Sequence, residues 1–324
     1  MNIPRRTISS FLQRLKRRHS PYNLPHSGRP RKTSATFDRW ILRTALTETK
    51  LPFKELKAIA NISVSEQTVR RRLKENGIRK WRALKRAMLT EEHAKKRLKW
   101  AKENQHWTIE DWTKVIWSDE SAIQKDSDTR IVWVWRRQNK TEKYMPKNIV
   151  GKKRDGELSQ MIWGCFMGNK LGPLAFIDGS IKKEQYIAIL DQYLLEFIDA
   201  LKADGLQDIT FQQDNARPHA ANLTRDWLKD TAKQHGFIII EWPPNSPDMN
   251  PIENLWAYLK LELHRRYPDI KYLSGSPAVI KGILKRRLFE VWWAIEEDIL
   301  NKLMESIPKR VHALLKAKGW YTEY

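Results

Sequence analysis

Residues 242–256 read Trp242-Pro243-Pro244-Asn245-Ser246-Pro247-Asp248-Met249-Asn250-Pro251-Ile252-Glu253-Asn254-Leu255-Trp256. Three prolines punctuate a loop, and Pro251 suits the first turn of a helix, where a missing N–H costs nothing. Asn250 is the expected N-cap. Ile252, Leu255, Trp256 and Leu259 recur at helical spacing and should face a core. Glu253 falls in the first turn, off that stripe. Two readings of it stand side by side. It can be an acid that favours the positive end of a helix dipole. It can also be a carboxylate presented to a cleft on a rigid element, where it suits metal chemistry. Asp248 reads as a turn residue.

The rest of the chain supplies the context for Glu253. At 324 residues there is room for two or three domains. A hydrophobic content of 41% with 15 Trp supports packed cores. The single Cys165 rules out a disulfide framework and a cysteine zinc site and fits a reducing compartment. No apolar run approaches the roughly 18 residues of a membrane span, and the polar, arginine-bearing stretch that follows Met1 does not read as a secretory h-region. The net charge is +22, but residues 1–109 hold 28 Lys and Arg against 8 Asp and Glu, while residues 110–324 hold 32 against 30. A basic front and a near-neutral back imply that one part holds a polyanion, nucleic acid above all, and the other does something else. No membrane partner is expected, because the basic part lacks a strongly amphipathic aromatic face.

Residues Thr7–Arg18 form one short helix with Ile8, Phe11, Leu12 and Leu15 on its apolar stripe. A linker over 21–35 follows, containing Gly28-Arg29-Pro30-Arg31-Lys32. Its cations either enter an A·T-rich minor groove or simply make a basic linker. Residues 36–77 outline three helices. Phe37, Trp40, Ile41 and Ala45 mark the first. Pro52 opens the second, which runs to Ala60. Ser65 caps the third, Val69 and Leu73 face inward, and Gly77 stops it. This is a helix-turn-helix outline. The third helix should present Gln67, Thr68, Arg70, Arg71, Arg72 and Lys74, with Gln67, Thr68 and Arg71 near enough its start to read base edges. A solvated basic helix in a small bundle is the alternative.

Residues 78–110 read as a second basic linker followed by a helix from Glu91 to Asn104. From 111 onward the apolar runs become short and strand-like. Lys114–Ser118 is expected to be a strand ending at Asp119-Glu120. Met161–Met167 and Pro173–Asp178 are two more, joined by the turn Gly168-Asn169-Lys170. An exposed basic segment with Trp133 and Trp135 occupies about 130–160. A helix over Lys182–Ala203, a strand over Asp208–Gln212, a helix to about His235 and a strand over Phe237–Glu241 follow. Helices close the chain over 276–318. The expected architecture is an α/β domain with a mixed five-stranded sheet, preceded by an all-α DNA-binding region.

Asp119 and Asp214 stand at the ends of the first and fourth strands, and Glu253 at the start of the helix after the fifth. Adjacent strand ends and a packed helix can bring the three together. Three carboxylates in one cleft repel unless a cation sits between them, and oxygen-only ligands suit Mg²⁺ or Mn²⁺. Two such ions about 3.5–4 Å apart clamp an in-line phosphodiester displacement. Asn215 and His219 either orient Asp214 or contact DNA, and a locally satisfied helix-start histidine is as plausible. Glu120 should point away from Asp119 by strand alternation and is read as structural. Trp242 and Trp256 are read as core.

Asp119 lies in Trp117-Ser118-Asp119-Glu120-Ser121, Asp214 in Gln213-Asp214-Asn215-Ala216-Arg217-Pro218-His219, and Glu253 in Ser246-Pro247-Asp248-Met249-Asn250-Pro251-Ile252-Glu253-Asn254-Leu255-Trp256. In these three blocks, and in the Gly28–Arg31 segment, the chain resembles transposases of the Tc/mariner superfamily, with an RNase H-like catalytic domain. The resemblance covers essentially the whole chain. It implies a cut-and-paste transposase that binds terminal inverted repeats, hydrolyses DNA at the element ends and joins 3′-hydroxyls to target DNA at TA sites. It further implies Asp119, Asp214 and Glu253 as catalytic metal ligands, two Mg²⁺ or Mn²⁺ ions per site, a homodimeric synaptic complex on double-stranded DNA, and work in the nucleus. Segment 130–160 falls where relatives carry an inter-subunit clamp loop.

The chain departs from the pattern in two places. Residues 1–20 resemble only the last helix of a first helix-turn-helix unit, so a truncated copy or an upstream start is expected. Between Asp214 and Glu253 lie 38 residues, longer than the commonest members. Two competing functions follow. A catalytically inactive or domesticated transposase-derived protein would bind DNA regardless of metal. A nuclease of RNase H type would prefer RNA–DNA hybrids.

Overall fold

The computed structural model describes residues 3–18, 28, 30–53, 55–56, 64–124, 133–138, 140–150 and 159–324. It divides into two compact units, Met1–Gly77 and Ile78–Tyr324.

The first unit is helical. Helix α1 spans Arg5–Arg18, α2 Ala35–Thr47 and α3 Glu66–Glu75. Ser34 caps α2 by accepting from the Phe37 N–H, and Ser65 caps α3 by accepting from the Thr68 N–H. Ile41 and Ala45 on α2 and Val69 and Leu73 on α3 are buried with Phe53, Leu56 and Val64. Gly77 adopts φ +71°, the left-handed conformation that ends a helix at lowest cost in glycine. Most of the expected middle helix from Pro52 to Ala60, and the start of the turn after it, lie outside the described residues.

The second unit begins with the segment read as a linker. Its first residues form strand β1, Ile78–Arg82, and then β2, Leu84–Lys85. Their partners lie in segment 130–160. β1 pairs antiparallel with Trp133–Arg137, and β2 pairs parallel with Ile149–Val150. Strand pairing therefore buries Val134 and Trp135, where exposure was expected, although Trp133 stays half exposed. Arg136 lies over the Trp81 ring at 4.4 Å, so its charge is partly met by a π-face.

The central sheet holds five strands. We number the long central strand β3 (Val115–Gln124), the Trp133–Arg137 strand β4 and the Ile149–Val150 strand β5. Then come β6 (Ser159–Met167), β7 (Lys170–Ile177), β8 (Thr210–Gln212) and β9 (Ile238–Ile239). The sheet order is β7-β6-β3-β8-β9. β3, β6 and β7 are antiparallel neighbours, whereas β8 and β9 run parallel to β3. The mixed five-stranded sheet is thus the expected one. Its central strand, however, does not stop at Asp119-Glu120. β6 pairs with it residue by residue from Ile116↔Met167 to Gln124↔Ser159, so the ladder keeps satisfying the backbone beyond the acids.

Alternation on β3 sends Val115, Trp117 and Ile123 into one core and Ile116 into the other. The first core is closed by helices Glu91–Asn104, Ile252–Arg266, Pro277–Trp292 and Glu297–Lys316. Trp100, Trp107, Trp112, Trp117 and Trp242 form a chain of ring contacts there, with centroids 4.5–6.0 Å apart. That chain anchors the proline loop through Trp242, and the Trp100 indole N–H donates to the Glu241 carbonyl at 2.9 Å. The second core packs a helical stretch, Lys183–Ile189, Leu190–Leu194 and Leu195–Ala203, and the helix Asn222–His235. The middle piece of that stretch is a π-turn.

Candidate active site

The three acids reach one cleft from three elements. Asp119 sits on β3, opposite Gly164 of β6. Asp214 lies two residues past β8, and Glu253 in the first turn of the helix Ile252–Arg266. Together with Ala87, Asn215, Pro244 and Asn250 they line one cleft that opens to solvent. Parallel pairing of β8 with β3 brings the first two together, with Trp117 in register with Gln212. Ser118 reinforces this by donating its hydroxyl to the Gln212 carbonyl at 2.8 Å.

Asn250 sets the position of Glu253. The helix starts at Ile252 with Pro251 as its cap, one residue later than expected. Asn250 accepts from the Ile252 N–H at 3.4 Å and donates its amide to the Ser118 carbonyl at 3.1 Å. The helix head is thereby tied to the residue before Asp119.

The electrostatics are those of crowded acids. Withdrawal from water raises the Asp119 carboxyl well above the ordinary range, and the charges of Glu253, Glu120 and Asp214 raise it further. Asp214 is held below its usual value. Burial works against its charge, but His219 and the Ala216 N–H outweigh that cost. The Ala216 N–H donates to Asp214 Oδ1 at 2.8 Å, and His219 Nδ1 meets the same oxygen at 2.7 Å. Nε2 of the imidazole lies 3.3 Å from Glu120 Oε1, without an aligned hydrogen bond. Burial lowers the affinity of His219 for a proton, but contact with Asp214 and Glu120 carries its pKa to about 10. Its ring stacks on Tyr186 with centroids 3.9 Å apart, and the Tyr186 hydroxyl donates to Gln213 Oε1 at 2.7 Å.

His219 therefore touches Asp214 directly. Asn215 does not. Its amide donates to the Trp242 carbonyl at 2.7 Å and pins the loop after β8 to the proline loop. Glu120 faces the second core, as alternation requires, and its carboxylate lies 3.3 Å from His219 Nε2.

Asp248 is not a cleft residue. It is buried, and Arg97 grips both of its oxygens at 2.8 and 2.6 Å. Thr322 donates to Oδ2 at 2.7 Å, and Arg310 to the Asp248 carbonyl at 2.8 Å. Sequence reading missed Arg97 and Arg310. A signal for them existed, because Arg97 stands among Ala94, Trp100 and Ala101, and Arg310 among Ile307, Val311 and Leu314, on otherwise apolar helix faces. Trp256 was assigned to the core, where it is, but its indole N–H also donates to Asp119 Oδ2 at 3.3 Å.

The cleft offers hard carboxylate oxygens and no sulfur, the donor chemistry of Mg²⁺ and Mn²⁺. Burial raises Asp119 most, and the charges of Glu253, Glu120 and Asp214 add to it; a cation would relieve that added repulsion, so the residues fit such an ion in donor type and charge. Among the described residues, no group of three or more His, Cys, Asp or Glu side chains is arranged so as to hold a metal ion, so the fit rests on donor chemistry and shared charge.

Gln67, Arg70, Arg71 and Lys74 on α3, and Arg31 and Lys32 before α2, are exposed. Arg70 pairs with Glu66 at 2.9 Å. Thr68 is half-buried, with its hydroxyl 3.1 Å from that of Ser65. Arg29 lies outside the described residues. Arg72 corrects the expectation of a DNA contact. It is buried, donates to Thr33 Oγ1 at 2.9 Å and to both oxygens of Glu75, and so faces its own unit's interior.

A mixed sheet of this order, with acids on its central strand, just past its neighbour and at the head of a packed helix, defines a DDE-type catalytic domain. A family model described as a DDE superfamily endonuclease matches residues 114–274, and one described as a transposase matches 38–106. The Tc1 transposase of Caenorhabditis elegans is 32% identical over 291 residues, covering 89% of this chain and 100% of that protein. The Tcb1 transposase of Caenorhabditis briggsae is 30% identical over 260 residues, covering 80% and 88%. The chain belongs to the Tc1/mariner family of cut-and-paste DDE transposases. Its fold is that of Mos1 transposase. A Mos1 paired-end complex with Mn superposes with a TM-score of 0.66 at 18% identity, covering 99% of this chain and 90% of that one. The isolated Mos1 catalytic domain gives 0.52 at 14% identity, covering 74% and 99%.

Proposed function

We propose that this protein cuts double-stranded DNA at terminal inverted repeats and joins the freed 3′-hydroxyls to target DNA at TA sites, with Asp119, Asp214 and Glu253 as its catalytic metal ligands. The observation that carries the reading is the convergence of these three side chains on one open cleft from β3, the end of β8 and the helix head. Two Mg²⁺ or Mn²⁺ ions, when bound there, supply the Lewis acidity for in-line displacement at phosphorus.

The chain's own residues supply the placement. β3 and Asn250 fix the spacing of Asp119 and Glu253. His219 holds one oxygen of Asp214 and leaves the carboxylate charged. The exposed face of α3, through Gln67, Arg70, Arg71 and Lys74, together with the cations of segment 28–32, binds the element ends, where phosphate neutralisation favours clustered cations. Two copies work together in a synaptic complex. The work takes place in the nucleus, where such a DNA substrate resides.

The test is incubation of the purified protein with labelled inverted-repeat DNA and Mn²⁺. Cleavage is expected, with loss of cleavage in Asp214→Asn. Equal cleavage by that variant would overturn the assignment. Salt-sensitive DNA binding without any cleavage would favour an inactive DNA-binding descendant.

A further inference from the structure

We infer that Trp256 is a positioning residue that sets the orientation of the Asp119 carboxylate. The inference rests on the reading of the acids proposed above and extends it to an uncharged side chain. The helix Ile252–Arg266 presents Glu253 to the cleft and, one turn later, Trp256 to β3. Residues three apart lie on neighbouring parts of a helix surface. One rigid element thus carries the third acid and a donor to the first. The Trp256 indole N–H reaches Asp119 Oδ2 at 3.3 Å. An indole has a single N–H and accepts nothing, so the buried ring offers the carboxylate one donor in a fixed direction.

The surroundings of the ring are shaped for that contact. Gly164 stands directly across from Asp119 on β6. A Cβ placed on Gly164 would lie 2.9 Å from the Trp256 ring and 3.2 Å from that of Trp292. Glycine at this register position is what lets the two indoles lie against the sheet. Trp292 stacks on Trp256 with centroids 5.4 Å apart, and its own N–H donates to the Gly172 carbonyl at 2.9 Å. Trp256 is fully buried, yet it spends its polar atom on an acid of the cleft. Residues that orient metal-binding carboxylates in this way typically change metal affinity or activity about 10–100-fold when removed.

The test uses the full chain and three variants. Trp256→Phe keeps an aromatic ring and removes the N–H. Trp292→Phe removes the neighbouring N–H from the same stack. Gly164→Ala displaces the Trp256 ring and leaves its N–H intact. Mn²⁺ binding to the DNA-free protein, read from the paramagnetic resonance of unbound Mn²⁺, is expected to weaken about 10–100-fold in Trp256→Phe and Gly164→Ala. The cleavage rate at saturating inverted-repeat DNA should fall in parallel, with DNA affinity unchanged. Trp292→Phe should lower the thermal midpoint and leave Mn²⁺ affinity at the wild-type value. Wild-type Mn²⁺ affinity in Trp256→Phe overturns the inference, as does an equal loss in Trp292→Phe, which would mark a general packing effect. If Trp256→Phe does not fold, Gly164→Ala decides on the same readout. Wild-type protein that binds no Mn²⁺ would instead sink the metal assignment itself, and the inference with it.

Discussion

His219 Nδ1 lies 2.7 Å from Asp214 Oδ1, inside a cage closed by Glu120 and Tyr186. A histidine with a pKa of about 10 is an imidazolium at neutral pH, so Asp214 carries its counter-ion within the protein. His219→Gln keeps a donor of similar reach but no charge. DNA cleavage should fall about 10–100-fold, the usual cost of losing a group that orients a metal-binding carboxylate. DNA affinity measured by filter binding should not change. A variant that cleaves at the wild-type rate would show that the cage is ornamental.

The same contact makes an alkaline prediction. The folded pKa of His219 lies above the unfolded value of about 6.5. Its contribution to stability is therefore complete below about pH 6.5 and is lost as pH rises through about 10. Denaturant melts in metal-free buffer should show stability declining across that window. The decline should be shallower in His219→Gln. Parallel curves for the two proteins would contradict the assignment.

Asp248 gives the opposite sign. Burial raises its pKa, but the hydrogen bonds and charge of Arg97 outweigh this and leave it below the usual carboxylate value. The pair's stabilisation is present above about pH 3.9 and is lost as pH falls through the lower folded value. Removing one partner of a buried ion pair costs about 3–5 kcal/mol, because the other charge is left uncompensated. Arg97→Met should therefore lower stability by roughly that amount at pH 7. Asp248→Asn should destabilise and flatten the acid limb of the pH curve, while Mn²⁺ affinity stays close to wild type. A large loss of Mn²⁺ binding in Asp248→Asn, with the fold intact, would make Asp248 a ligand after all.

The architecture was legible in the sequence because its signals are local. β-branched runs, a Gly-Asn turn and capped helices specify five strands and their flanking helices. The acids were legible because each sits in a distinctive block. What the sequence hid depends on partners far along the chain. Arg97 and Asp248 are 151 residues apart, and Trp256 and Asp119 are 137 apart. No periodicity reports such pairs. The segment 78–82 looked like a linker because five residues with three cations lack strand alternation, and only pairing with Trp133–Arg137 makes them a strand. Arg72 misled for a related reason. Its neighbours Arg70, Arg71 and Lys74 are exposed, and only the buried side of α3, next to Leu73, distinguishes it.

That distinction yields the last prediction. Arg71 is exposed on α3, whereas Arg72 is bonded to Thr33 and Glu75 inside the first unit. Arg71→Ala should leave the thermal transition unchanged and weaken DNA binding. If it contacts a phosphate, the slope of log affinity against log salt should drop by about 1 and binding should weaken uniformly across sequences. If it reads a base, the loss should be about 1–3 kcal/mol and confined to the cognate inverted repeat. Arg72→Ala should instead lower the melting temperature of the helical unit, since it leaves Glu75 with only its 3.5 Å ion pair to the exposed Arg31 and Thr33 without its donor. Any loss of DNA affinity in Arg72→Ala should vanish at temperatures where the unit remains folded. A salt-slope change in Arg72→Ala at full folding would return that residue to the DNA-binding face.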